Sequence, residues 1–304
     1  MSDQAEKLRQ LVEARLGPAA RAEPAPRVRG ASGQTAARSL VLTSGKGGVG
    51  TSNLALNLSI ALGEYGQRVV LVDADLGLAN IDLLCGLTPG SDLGDVLAGD
   101  RRLADALVEG PGEIRIVPGA HGVRTLVEAL SEGPARLVDE LAELESEADF
   151  LLVDAGSGLS PAIATLATAA DQVVVVTTPE PTSVADAHAA LQRYRRLTGL
   201  PALRAVVNQA RSAAEAEDVL ARLTATSREF LGIVVAPLGH VRADPRVPIA
   251  VRKRQPFLVA FPGSVASRGV RRLARTLIAE RQPRSHRRGF FSALTRRRIL
   301  SGAA

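Results

Sequence analysis

The stretch LVLTSGKGGVGTSNLALNL, residues 40–58, decides the fold. Apolar and β-branched residues run to Thr43, and Gly45, Gly47, Gly48 and Gly50 follow. An apolar pattern at helical spacing then begins at Leu54. A strand that runs through a glycine-rich loop into a helix is built to cradle phosphate. Glycine lets the backbone bend tightly and bring its N–H groups to the oxygens, while the helix directs its positive end at the same anion. Gly45, Lys46, Gly47, Gly48, Val49, Gly50, Thr51 and Ser52 are therefore candidate nucleotide-binding residues.

Outward from this loop, strand-like and helix-like segments alternate. Strands are expected at residues 39–43, 69–73, 114–117, 150–154, 172–177, 203–208 and 230–235, most of them short apolar runs bounded by Gly, Pro or Asp. Helical segments at 53–64 and 183–197 supply crossovers, and a last helix runs through 271–280. Such runs suit strands covered on both faces. The fold class is α/β: a doubly wound, mostly parallel sheet with a P-loop. Composition agrees, because 46 % of residues are apolar but only 3 % aromatic, leaving Ala, Val, Leu and Ile to build the core.

The nucleotide-binding domain is expected at residues 39–280. Before it, residues 1–16 hold a short amphipathic helix capped by Asp3, with Ala5, Leu8, Leu11, Val12 and Leu16 at helical spacing. Residues 17–38, with three prolines and no apolar period, read as a flexible linker. Residues 281–304 form a basic tail.

Net charge is +5, unevenly spread. Residues 1–38 carry net +3 and residues 268–304 net +10, with eleven arginines against Glu280 alone, which leaves −8 between them. A basic tail on an acidic body is suited to an anionic surface: membrane headgroups, nucleic acid or an acidic partner. The single cysteine, Cys85, excludes an internal disulfide and argues against iron–sulfur or multi-cysteine zinc chemistry. The four histidines show no ligand spacing, no secretory signal precedes the first strand, and no apolar run is long enough to span a bilayer. The expected compartment is the cytoplasm.

Asp73 and Asp75 leave the second expected strand, and Asp154 ends FLLVD. Ligands of open parallel sheets bind at such strand ends. Three carboxylates there, beside a phosphate loop, point to a magnesium-nucleotide site.

KGGVG followed by a short polar pair resembles the deviant Walker A motif of the MinD/ParA ATPases, SIMIBI-type NTPases that bind ATP/ADP with Mg2+. The resemblance implies that Lys46 reaches across an ATP-bound homodimer to the partner's phosphates, and that Ser52 coordinates magnesium. DADLGLAN, residues 73–80, is similar to that family's first switch, and DAGSG, residues 154–158, to its second. Asp75 would position the attacking water, Asp73 would lie near the magnesium shell, and Asp154 would hold magnesium through water. Lys46, Asp75 and Asp154 are thus the implied catalytic set. Asn208 matches the position that reads adenine, with residues near Pro237 flanking the base. Thr51 departs from the family, which has a second phosphate-contacting lysine there. Threonine is short and uncharged, so hydrolysis should suffer more than binding.

The termini narrow the resemblance. DQAEKLRQL, residues 3–11, resembles the partner-activating motif of the FlhG (YlxH/FleN) regulators, which control flagellar number or placement. That implies contacts from Gln4, Leu8 and Arg9 to an FlhF-like GTPase, with flagellar basal-body components as further partners. It also implies that the tail is a membrane-targeting helix, in which Phe290, Phe291 and Leu294 insert among lipids and the arginines meet anionic headgroups. Attachment would be peripheral and reversible, at the inner face of the cell membrane. Two alternatives stay open: a nucleotide-sensing adaptor with little catalysis, which Thr51 motivates, and a ParA-type ATPase binding DNA through the tail. The paired phenylalanines and the N-terminal motif argue for membrane and GTPase over nucleic acid.

Overall fold

Strands with apolar centres facing both ways are stable only where both faces are covered, and four such strands lie side by side at the centre of this protein. The computed structural model describes residues 37–74, 80–119, 135–158, 160–197, 199, 201–280 and 289–301. Among them are eight strands: β1 (Arg38–Ser44), β2 (Val69–Asp73), β3 (Val108–Glu109), β4 (Arg115–Val117), β5 (Phe150–Ser157), β6 (Gln172–Thr177), β7 (Ala202–Ala210) and β8 (Val235–Arg242). Their order is β3-β4-β2-β5-β1-β6-β7-β8, parallel throughout except at β3–β4. The expected doubly wound α/β architecture is present.

The helices are α1 (Thr51–Glu64), α2 (Ile81–Cys85), α3 (Leu93–Ala98), α4 (Leu103–Ala106), α5 (Ala135–Ser146), α6 (Pro161–Ala169), α7 (Pro181–Tyr194) and α8 (Ala213–Thr226), the last continued by a π-helical turn at Ser227–Leu231. Then come α9 (Arg246–Arg252), α10 (Phe257–Ala260), α11 (Val265–Ala279) and α12 (Phe290–Ser301). Strand side chains alternate between two cores. Val41, Val72, Val153 and Val175 share one core with α5, α6, α7, α8 and α12. Leu40, Leu42, Leu71 and Val174 share the other with α1, α10 and α11.

The strand expected at residues 230–235 is displaced. A π-helical turn occupies most of that span, left-handed Gly232 (φ 65°) ends it, and Phe230 is 66 % exposed rather than in the sheet. The true strand, β8, holds Pro237 and Gly239, two residues that read as breakers. At the sheet edge a missing ladder N–H is tolerated. The two-residue antiparallel β3 was too short to leave a pattern.

The tail helix departs further from expectation. α12 packs against α5 and α6 in the same compact unit as the sheet. Phe290, Phe291 and Leu294, expected to face lipid, are buried in the core, with the two rings edge to face at 5.2 Å. Glu145 of α5 accepts the N–H groups of Phe290 (2.7 Å) and Phe291 (3.3 Å), capping α12. Gly289 enters left-handed (φ 82°), and a Cβ there would lie 2.9 Å from a Glu145 oxygen. An apolar stripe on a helix reads the same whether its partner is lipid or protein.

At the N-terminal edge of the central strands, Arg204 holds Glu280 through two hydrogen bonds (2.7 and 2.8 Å) and Arg38 adds a third (3.1 Å). Burial lowers the Arg38 pKa, while its bond to Glu280 works the other way. Both guanidinium groups are nearly inaccessible, so removing their shared carboxylate strands two buried charges. Glu280→Ala should lower unfolding free energy by roughly 2–4 kcal/mol in urea titrations. A loss below about 1 kcal/mol would show that water reaches the pair.

Candidate functional site

Between Ser44 and α1 the chain must reverse direction without obstructing the cavity it lines. Gly45 lies so close to α7 that a Cβ would sit 2.1 Å from the Asp186 carbonyl oxygen. Gly48 and Gly50 are left-handed, at φ 82° and 87°, which glycine adopts at little cost. Gly50 also makes room for Asn208, whose Nδ2 would lie 2.7 Å from an added Cβ. That Nδ2 donates to the Val49 carbonyl (2.8 Å), and Asn208 Oδ1 accepts the N–H of Gln209 (2.9 Å). Asn208, expected to read adenine, therefore also ties the loop to the end of β7.

Two cavities meet over this loop and share Gly48, Gly50 and Asn53. The first, of about 540 Å³, is lined by Ser44, Gly47, Thr51 and Ser52, by Gly156 and Ser157 of the β5 end, and by Val251 and Arg254 beyond. The second, of about 450 Å³, is lined by Asn208, Gln209, Val241, Pro245, Pro248 and Phe257. Among the described residues, the N–H groups of residues 47–52 have no protein acceptor. Free donors beside one cavity and apolar walls in the next fit phosphates and a planar base respectively. The apolar wall of the second cavity comes from residues 241–248 and α10. Pro237, near which base-flanking residues were expected, does not line this cavity and gives its carbonyl to Arg204 at the other end of β8.

Thr51 does more than omit a lysine. Its buried hydroxyl donates to Ser44 Oγ (3.0 Å), which donates to the Lys46 carbonyl (2.9 Å), so loop and strand are pinned together. The Lys46 ammonium is drawn to the start of α7, donating to Glu180 Oε2 and Thr182 Oγ1, each at 3.2 Å.

Asp73 and Asp154 are register partners on β2 and β5. Asp73 Oδ2 accepts the N–H groups of Asn80 (3.0 Å) and Ile81 (3.1 Å), so one of its oxygens caps α2 instead of being left for a metal. Asp154 is fully buried, and its Oδ1 accepts the Gly156 N–H (3.2 Å). Asp75 lies outside the described residues, as do Gln4, Leu8 and Arg9. Among the described residues no cluster of three His, Cys, Asp or Glu side chains forms a metal cage. Magnesium does not require one, since it is usually held by one or two protein groups with phosphate and water. Ser52 lines the cavity, while Asp154 lies buried behind Gly156 and Ser157, which do line it. Burial, with Asp82 adding, pushes the Cys85 thiol up to about 12 and so favours its protonated form.

Sequence reading missed Arg254 and Asp244. Asp244 lines the second cavity and accepts the N–H groups of Arg246 (2.9 Å) and Val265 (3.0 Å). Burial pushes its carboxyl up, and the backbone N–H groups outweigh this and hold it below the usual range. Neither residue stands near a recognisable motif.

Residues 37–199 match the family described as AAA domain. The chain is 37 % identical over 258 residues to the antiactivator FleN of Pseudomonas aeruginosa, covering 84 % of this chain and 92 % of the relative. It is 28 % identical to the flagellum site-determining protein YlxH of Helicobacter pylori, covering 84 % and 88 %. Its fold is similar to that of the septum site-determining protein MinD from Pyrococcus horikoshii, solved with Mg-ADP: TM-score 0.63, 28 % identity, 80 % and 96 % coverage.

Gly50→Ala should destabilise the protein by roughly 2–3 kcal/mol, because the left-handed cost adds to the clash with Asn208. Gly47→Ala, where a Cβ meets only Ser157 Oγ at 3.6 Å, should change stability by less than about 0.5 kcal/mol. Equal unfolding midpoints for the two variants would contradict this account of the loop.

Proposed function

Because the chain belongs to the MinD/ParA-type P-loop ATPases as an FlhG-like member, we propose that it is an ATP-driven switch controlling flagellar number or placement. The observation that carries this reading is the phosphate loop, whose N–H groups at residues 47–52 have no protein acceptor beside a phosphate-sized cavity. ATP with magnesium supplies the transferable phosphoryl group. Residues 45–52 bind the phosphates, Ser52 and Asp154 hold the metal, and the Asn208 cavity takes the base. Lys46 is held by an exposed ion pair of the kind worth 0–1 kcal/mol, so it can leave Glu180 for the phosphates of a second copy. Asp75 orients the attacking water. Gln4, Leu8 and Arg9 act on an FlhF-like GTPase, and basal-body components receive the signal.

The tail makes membrane attachment conditional. Burying Phe290, Phe291 and Leu294 is worth roughly 5–8 kcal/mol, which lipid must offset before α12 leaves the body. Two tails held by an ATP-bound homodimer would bind an anionic membrane by avidity where one could not. The bond from Thr51 to Ser44 favours a second reading, an adaptor that binds nucleotide without turnover.

Turnover of ATP, stimulated by anionic vesicles and abolished in Asp75→Ala, is the expected result. Binding without turnover that Thr51→Lys converts into turnover would instead establish the adaptor. For the tail, Glu145→Ala removes the cap, worth about 0.5–2 kcal/mol, and should raise nucleotide-free vesicle flotation roughly three- to thirtyfold. Glu145→Gln keeps an acceptor and should not. Burial raises the Glu145 pKa against the pull of the Phe290 and Phe291 N–H groups. The docked state therefore holds its proton more tightly than the released state does. Docking is strengthened as pH falls through the window above the ordinary 4.5, so flotation should decline there. Flotation indifferent to Glu145→Ala would refute the latched tail.

A further inference from the structure

Among the described residues lining the phosphate cavity, one side chain is charged, and it lies two hundred residues from the phosphate loop: Arg254. It follows α9, which ends at Arg252, and Arg252 and Lys253 do not line the cavity. Its backbone is left-handed, with φ 51°, uncommon for any residue but glycine, asparagine or aspartate. The conformation belongs to the cap that ends α9, in which the Gln255 N–H donates to the Ala250 carbonyl (3.1 Å) and the Arg254 N–H to that of Val251 (2.9 Å), and this cap fixes where the side chain leaves the backbone. Gly86, just past α2, accommodates the arrangement, because a Cβ there would lie 2.8 Å from the Arg254 carbonyl oxygen. Two other exposed arginines are committed elsewhere, Arg68 to Asp149 and Arg211 to Glu215. Arg254 is exposed, and among the described residues its guanidinium makes no hydrogen bond or ion pair.

We propose that Arg254 is the phosphate-binding cation of this site in the same subunit, standing in for the loop lysine that Thr51 replaces. The proposal rests on the ATP-binding reading above. A guanidinium is always charged and matches two phosphate oxygens at once, so it suits a terminal phosphate better than a hydroxyl does. Its contribution should grow with the number of phosphates on the ligand. Thr51, bonded to Ser44, keeps the loop shape that a lysine would otherwise help to hold, and the charge enters from α9.

The test is equilibrium binding of Mg-ATP, ADP and AMP to the full chain by calorimetry or fluorescent competition. Arg254→Gln should weaken ATP at least tenfold and AMP less than twofold. Arg254→Gly, which suits φ 51°, should lose ATP affinity equally while its unfolding midpoint does not fall, separating lost charge from lost fold. In a Thr51→Lys background the Arg254→Gln loss should shrink below threefold. ATP affinity within twofold of wild type in Arg254→Gln, or equal losses for ATP and AMP, overturns the proposal alone. Wild-type protein that binds none of the three nucleotides overturns the ATP reading and this proposal with it.

Discussion

The loop between β1 and α1 has to leave a run of backbone N–H groups without protein partners, which folded chains rarely allow. Each such donor costs about 1–3 kcal/mol if it is buried without water or an anion. The conformation therefore has to be imposed from outside. Gly45 is pressed against α7, Asn208 grips the Val49 carbonyl from β7, and Thr51 is tied through Ser44 to the loop's own start.

Stability is lodged at the opposite edge of the sheet. At the N-terminal ends of the central strands, Arg38 and Arg204 share Glu280. Nearby, Asp171 accepts both the N–H and the hydroxyl of Ser39, each at 2.9 Å, and Asp149 holds Arg68. These staples fix strand starts to one another and to the end of α11. The C-terminal edge is left to loops whose polar groups face cavities. The two edges thus divide the work, with ion pairs and carboxylate bonds at one and left-handed turns at Gly50 and Arg254 at the other.

The phosphate loop was legible because its chemistry is local: glycine spacing, a strand before it and a helix after it. The central strands were legible because both of their faces are apolar. The docked position of the tail was not legible, for a physical reason. Phe290, Phe291 and Leu294 mark an apolar face, and nothing in a helical period says whether lipid or α5 covers it. Asp73 shows how much one residue type leaves open, since a strand-end aspartate can serve a cation, a helix N-terminus or both, and the donors from Asn80 and Ile81 appear only in the fold. Arg254 could not be read at all. Its relevance depends on a fold that carries residue 254 back to residue 51.

Docking of α12 sets the energetic scale on which any membrane switch in this chain must operate. Releasing it exposes not only its own three apolar side chains but also the surfaces of α5 and α6 beneath them. It leaves Glu145 facing solvent, which restores the carboxylate's hydration and partly offsets the loss. The remaining cost falls on whatever holds the tail afterwards. A lipid surface can repay the helix but not the bared face of α5 and α6. That second face needs its own cover, so release of the tail and occupation of the body it leaves behind are thermodynamically coupled events.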